Sequence, residues 1–123
     1  MSTDQPAPDD PREDLQVSAR PLGAGRHLVT VEGALDLHTA SQLSDVLQPL
    51  LLTGGRRVLV DLSGVAFLDS TGLTCLIAAY RTARNTGARL SLIAPGERVR
   101  RMLAVTGTDQ VLPSYATVDS VPD

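Results

Sequence analysis

The chain has 123 residues, of which 42 % are hydrophobic and only 2 % aromatic, with a formal net charge of −3. That is enough chain for one domain, and its core must come from Leu, Val, Ile and Ala. The acidic balance argues against nucleic acid or an anionic membrane as the main partner, and no run nears the roughly 18 apolar residues of a membrane span.

Residues 1–13 hold Pro6, Pro8 and Pro11 with Asp4, Asp9, Asp10 and Glu13 and almost nothing apolar, which predicts a disordered acidic tail ahead of a domain at 14–123. Leu15, Val17 and Ala19 alternate with polar neighbours and predict a half-buried strand. Pro21-Leu22-Gly23-Ala24-Gly25 is turn chemistry, and Arg26 to Glu32 completes a hairpin. Thr39 with Gln42 has the spacing of a capping box, opening a helix whose face carries Ala40, Leu43, Val46, Leu47, Leu50 and Leu51. Pro49 should kink that helix or end it in an altered turn, and Gly54-Gly55 should close it. Arg57 to Leu62 is apolar on both faces, the pattern of a central strand with helices on either side. After Asp69 a second helix sets Leu73, Leu76, Ile77, Tyr80 and Arg84 along one face and stops at Asn85-Thr86-Gly87. Arg89 to Ala94 predicts a fourth strand. Pro95-Gly96 starts a short helix with Val99, Met102 and Leu103 inward, and Gln110 to Leu112 reads as a last strand stopped by Pro113. The order ββαβαβαβ gives a mixed α/β sheet with parallel crossovers.

Chemistry concentrates where the central strand ends. Asp69-Ser70-Thr71-Gly72 opens the second helix, so one serine hydroxyl lies where free backbone N–H groups and the helix dipole favour negative charge. A phosphate would sit well there. The plain alternative is N-capping, for which Asp, Ser and Thr are the ordinary residues. Asp36 likewise reads as a turn or pre-helix residue, and Asp61 as one that orders the loop after its strand. Arg98, Arg100 and Arg101 fall on a short amphipathic stretch and read as a solvated helix face. His27 reads as a strand residue at a surface and His38 as part of a helix entry.

Enzyme readings find little support. A phospho-receiver needs a lysine to hold its acyl phosphate, and the chain has none. Leu68-Asp69-Ser70-Thr71-Gly72 lacks the first glycine of a nucleophile elbow. There is no CxxC, HExxH or glycine-rich phosphate loop, so no metal or cofactor is expected. Cys75 is the only cysteine, and within Leu73-Thr74-Cys75-Leu76-Ile77 it suits a small packed residue better than a reactive thiol. The N-terminus lacks the basic-then-apolar pattern of a signal peptide, so the expected location is cytoplasmic.

The run VLVDLSGVAFLDSTGL from Val58 to Leu73 resembles the signature of the STAS domain, specifically of the bacterial anti-sigma factor antagonists. Three further segments agree in order and spacing: Glu32-Gly33-Ala34-Leu35-Asp36 with His38-Thr39-Ala40, Ala88-Arg89-Leu90-Ser91-Leu92-Ile93, and Val99-Arg100-Arg101-Met102-Leu103 with Gly107. The resemblance covers about residues 15 to 121. It implies a STAS-like mixed sheet with a leading antiparallel hairpin and helices packed on the sheet. It further implies a binding module, not an enzyme, that captures an anti-sigma factor of GHKL kinase type and so frees a sigma factor. That kinase would phosphorylate Ser70 and end the complex, and a PP2C-type phosphatase would restore the hydroxyl. Asp36, Asp69, Ser70, Thr71 and Gly72 are the partner-binding residues the resemblance implies. A scaffold subunit of a stressosome-like assembly, or a module sensing a small molecule or nucleotide, is the alternative. Family members usually finish with a further helix, whereas Ala116 to Val121 leave room for about one turn.

Overall fold

A computed structural model describes residues 15–122, so the acidic tail expected at 1–13 lies outside the described residues. β1 (Leu15–Gly23) and β2 (Arg26–Leu35) pair antiparallel from Leu15↔Gly33 to Gly23↔Arg26. The turn between them is shorter than the expected Pro21–Gly25: Pro21 and Leu22 remain in β1, an edge strand, where proline is tolerated. Ala24 and Gly25 alone reverse the chain, with φ of 56° and 78°. Positive φ at both central residues matches the twist of the flanking strands.

Next come α1 (Ala40–Leu51), β3 (Arg57–Leu68), α2 (Ser70–Thr86), β4 (Arg89–Ile93), α3 (Glu97–Val105) and β5 (Ser114–Tyr115). The strands lie in the order β1-β2-β3-β4-β5, and every pairing after the hairpin is parallel. The mixed α/β sheet with its leading hairpin is therefore as the sequence predicts.

Four local expectations are corrected. First, β3 does not end at Leu62 but runs to Leu68, because β2 continues beside it to Leu35 through two register shifts. Asp61 Oδ1 does accept the Ser63 N–H at 2.9 Å, but within a strand, not ahead of a loop. Second, Gln110–Leu112 is no strand. Thr108–Gln110 forms a 3₁₀ turn, Leu112 is buried, and the last strand is Ser114–Tyr115, beyond Pro113, whose carbonyl accepts the Leu92 N–H. Third, Thr39 and Gln42 form no capping box: the Thr39 hydroxyl is turned back onto the end of β2. Fourth, α1 continues for two residues past Pro49. With Pro49 in the last turn only one ladder bond is lost, and the helix ends at Leu51 before Gly54-Gly55.

The sheet's two faces are covered differently. Val29, Val31, Val58, Val60, Leu62, Leu90 and Leu92 meet Leu43, Leu47 and Leu51 of α1, Leu73, Leu76, Ala79 and Ala83 of α2, and Val99 and Leu103 of α3 in one core. Each fully buried Leu or Val contributes about 1.5–3 kcal/mol. The other face carries Leu28, Leu59 and Ile93, packed by Leu22, Tyr115, Val118 and Val121. Central strands apolar on both faces had implied helices on both. Here all three helices lie on one face, and the C-terminal segment with its 3₁₀ turn at Val118–Ser120 covers the other. That turn is the single turn the sequence left room for.

α2 ends as expected at Thr86, with Gly87 at φ 82° as its left-handed cap. His27 is half-buried, with an Nδ1 that is buried and has no hydrogen-bond partner among the described residues, so it is less a surface residue than the sequence suggested.

Candidate functional site: the β2–α1 and β3–α2 loops

Parallel pairing of β2 and β3 through Leu35↔Leu68 brings the residues that follow each strand to one end of the sheet. Asp36 and Asp69 are next in line. The Asp69 N–H donates to the Leu35 carbonyl at 3.3 Å, so the β3–α2 junction is still tied to β2 where the strands stop.

Asp69 is the N-cap of α2, with extended backbone (φ −106°, ψ −175°). Its Oδ1 accepts the Gly72 N–H at 2.9 Å, the capping bond, while its Oδ2 accepts the Leu37 N–H from the neighbouring loop at 3.2 Å. One carboxylate thus caps the helix and fixes the β2–α1 loop against it. Asp36 orders its own loop: its Oδ1 accepts the His38 N–H at 2.9 Å, and its carbonyl accepts the amides of Thr39 and Ala40. Thr39, fully buried, accepts the Asp36 N–H at 2.9 Å and donates its hydroxyl to the Ala34 carbonyl at 2.7 Å. That hydroxyl pairs with two backbone groups where β2 ends.

Gly72 is buried in the first turn of α2. An added Cβ would run into the Leu35 carbonyl oxygen and lie 2.8 Å from Leu68 Cδ1, so only glycine lets α2 start this close to β2. Its part in the site is to seat the helix.

Ser70 is the first helical residue and is exposed; its hydroxyl has no hydrogen bond to any described residue. Gly72 and Leu73 donate to Asp69, which leaves the Ser70 and Thr71 amides as the orphan donors of the first turn. Thr71 is half-buried. The hydroxyl beside those amides can accept a substituent without breaking any bond of the fold, and a negative one is favoured there by roughly 0.3–1 kcal/mol.

Two residues at this end escaped the sequence reading. Leu37 is 68 % exposed in the loop held by Asp69, and Phe67 is 43 % exposed two residues before it. The signal was present: Leu37 is the one apolar residue in the polar turn Asp36–Thr39, and Phe67 is the only phenylalanine. His38 is exposed at the helix entry, as expected. Cys75 packs against the core with Sγ 3.5 Å from the Ala40 carbonyl, and burial pushes its thiol pKa up. Arg98, Arg100 and Arg101 are exposed, with Arg101 reaching Glu97 at 3.4 Å. Among the described residues no group of three His, Cys, Asp or Glu could hold a metal ion, and no helix is long and apolar enough to cross a membrane.

The family described as "Mlab, STAS domain" matches residues 22–113, which run from the last residues of β1 to the residue before β5 and include both loops of the site. The chain belongs to the STAS domain family. Within it, the anti-sigma-B factor antagonist of Staphylococcus aureus is 30 % identical over 84 residues, covering 68 % of this chain and 78 % of that one. The antagonist of the same name from Staphylococcus epidermidis is 31 % identical over the same length. Among solved structures, an anti-sigma factor antagonist from Mycobacterium paratuberculosis superposes with a TM-score of 0.78 at 29 % identity, covering 88 % of this chain and 91 % of that one. Unphosphorylated SpoIIAA superposes at 0.71 with 16 % identity, over 85 % and 92 %, which is a likeness of fold.

Proposed function

We propose that this STAS domain is an anti-sigma factor antagonist whose grip on its partner is switched by phosphorylation of Ser70. The observation that carries the reading is the exposed, unbonded Ser70 hydroxyl at the first position of α2, beside free amides. The names of its relatives support the partner class. The unmodified surface offers Leu37 and Phe67 as apolar anchors, with Asp36, Asp69, Ser70 and Thr71 around them. The partner is an anti-sigma factor with a GHKL-type kinase fold, which brings its own ATP and Mg²⁺; a PP2C-type phosphatase resets the serine.

The energetics are those of added charge. Phosphoserine carries about −1.5 to −2 charges at pH 7. Two charges about 6 Å from one carboxylate at an effective dielectric near 40 repel by roughly 3 kcal/mol, or about a hundredfold in affinity. That penalty enters binding where the partner brings a carboxylate of its own or holds Asp36 and Asp69 against itself, and closing the interface adds the desolvation of the phosphate.

The test starts with the partner retained by the unmodified protein from native lysate, purified and titrated by calorimetry. Ser70→Ala should bind like the unmodified protein and resist release by ATP, while Ser70→Asp should fold normally and bind at least about tenfold more weakly. Equal binding by the phosphorylated protein, or phosphate located on Thr71 by mass spectrometry, would return Ser70 to the role of a helix residue.

A further inference from the structure

β3 outlasts its neighbour on one side. β2 accompanies it to Leu68, but β4 leaves at the Asp61↔Ile93 pair, and the chain then turns into α3. From Gly64 to Leu68 the edge of β3 on that side has no strand beside it. Among the described residues no backbone bond from the link at Ala94, Pro95 and Gly96 reaches it. An unpaired edge is a template for another strand, and proteins usually blunt it with charge, proline or short length. The sheet's two outer edges are blunted in this way: β1 carries Arg20 and Pro21, and β5 is two residues long. Gly64-Val65-Ala66-Phe67-Leu68 has neither charge nor proline, and Gly64, Ala66 and Phe67 are exposed.

Beside this edge lies a groove of about 470 Å³. Phe67 and Leu68 form one wall, and α3 forms the other through Arg98, Arg101, Met102 and Val105. Phe67 is 43 % and Val105 78 % exposed, so two large apolar side chains open onto solvent within a few residues of bare backbone. The α3 wall is basic. Arg98 has no partner among the described residues, Arg101 pairs with Glu97 at 3.4 Å on the surface, and Arg100 is exposed on the same short helix.

We infer that this slot between a strand edge and a helix binds an extended acidic segment of a partner protein, added to the sheet beside the end of β3. The segment's backbone pairs with the open edge. Its alternate apolar side chains lie on Phe67, Met102 and Val105, and its carboxylates meet Arg98 and Arg101. Strand addition draws affinity from main-chain hydrogen bonds and specificity from contacts to every second side chain. Exposed arginine–carboxylate pairs add little each, but they decide which sign of charge the slot accepts. The chain's own acidic tail is a poorer occupant, because Pro6, Pro8 and Pro11 interrupt any ladder it could form. The slot adjoins the Ser70 surface at Phe67, and its binding requires no modification of Ser70.

A capped peptide alternating valine and aspartate over about eight residues, an ordinary strand length, is a suitable probe. In nitrogen–proton correlation spectra of the full chain it should shift the amides of Ala66, Phe67 and Met102 saturably, while those of Leu28 and Ser91 stay still. The same peptide N-methylated throughout keeps its charge and side chains but cannot donate to a strand, and a valine–lysine peptide reverses the charge. Each should bind at least about tenfold more weakly. So should the acidic peptide to a chain carrying Arg98→Gln and Arg101→Gln, exposed substitutions that keep the melting temperature. The inference is overturned if the acidic peptide at millimolar concentration moves none of these resonances. It is equally overturned if the methylated peptide or the lysine peptide binds as well as the acidic one, or if the double variant binds as the unmodified protein does. Neutralising Asp9, Asp10, Glu13 and Asp14 to Asn and Gln in the full chain should leave the affinity unchanged; a gain of about tenfold or more would give the slot to the tail and overturn the inference. Shifts of the same amides with protein concentration alone would give it to a second copy and overturn it too.

Discussion

Asp69 offers the sharpest test of how the two loops are held together, because its two oxygens have separate tasks and can be removed separately. Asn at this position keeps one carbonyl oxygen, and Asn caps helices as well as Asp, so the bond to the Gly72 N–H at 2.9 Å survives. Its other atom is an amide nitrogen, a donor facing the Leu37 N–H that Oδ2 accepts at 3.2 Å. That tie is lost, at about 0.5–1.5 kcal/mol for one solvent-exposed hydrogen bond. Loss of the charge at the helix N-terminus adds roughly 0.3–1 kcal/mol. Asp69→Asn should therefore cost about 1–2 kcal/mol. Asp69→Ala, which also loses the cap, should cost about 1 kcal/mol more. For a domain of this size each kcal/mol lowers Tm by about 4 °C. Thermal melts followed by circular dichroism give the two costs, and hydrogen exchange at the Leu37 amide reports the tie directly. An Asn variant as stable as Asp with Leu37 still protected would show that the bridge between loops does nothing. An Ala variant no worse than Asn would remove the cap as well.

Thr39→Val keeps the shape and removes the hydroxyl, leaving the Ala34 carbonyl and Asp36 amide without their partner. Denaturant unfolding should show a loss of about 2 kcal/mol, and Thr39→Ser should recover most of it. Burial raises the Cys75 pKa, so at neutral pH its thiolate is scarcer than that of a free cysteine. Alkylation should be slow in the folded protein, quicken as pH climbs, and become fast in urea; equal rates folded and unfolded would contradict the packing. Truncation after Ala116 removes Val118 and Val121, which half-cover Leu28, Leu59 and Ile93. The expected cost is about 2 kcal/mol in an equilibrium melt, and an unchanged Tm would mean that this face of the sheet needs no cover.

The elements with strong periodicity were legible. α2 was bounded by Asp69 and Gly87 because capping chemistry is local, and the same holds for the apolar spacing in α1. What failed to show was decided by pairing between distant segments. Ser63 to Phe67 looks like a loop by its polar and small residues, yet β2 holds it in the sheet. Gln110-Val111-Leu112 looks like a strand, but the 3₁₀ turn after Gly107 carries Leu112 into the core and hands pairing to Ser114. The capping box at Thr39 failed for a related reason: a spacing rule sees only the helix, and the hydroxyl found stronger partners in β2. At the site, the places of Asp69 and Ser70 at the start of α2 followed from their capping chemistry, and that of Asp36 in its turn from its residue type. The exposure of Leu37 and Phe67 did not, since an apolar residue beside a strand is more often buried.

The close seat of Gly72 against Leu35 bears on how fast and how reversibly this surface can respond. A helix start clamped between a strand carbonyl and Leu68, and tied by Asp69 to the next loop, can move only by giving up those contacts. Charge placed on it stays where it is put, with no slow refolding or loop exchange to follow. Its heat capacity of unfolding should stay constant across charge states, because no apolar area is uncovered. Under the function proposed above, a partner would meet a change in field at fixed shape, with the timing of the response set by the chemistry that adds or removes the charge.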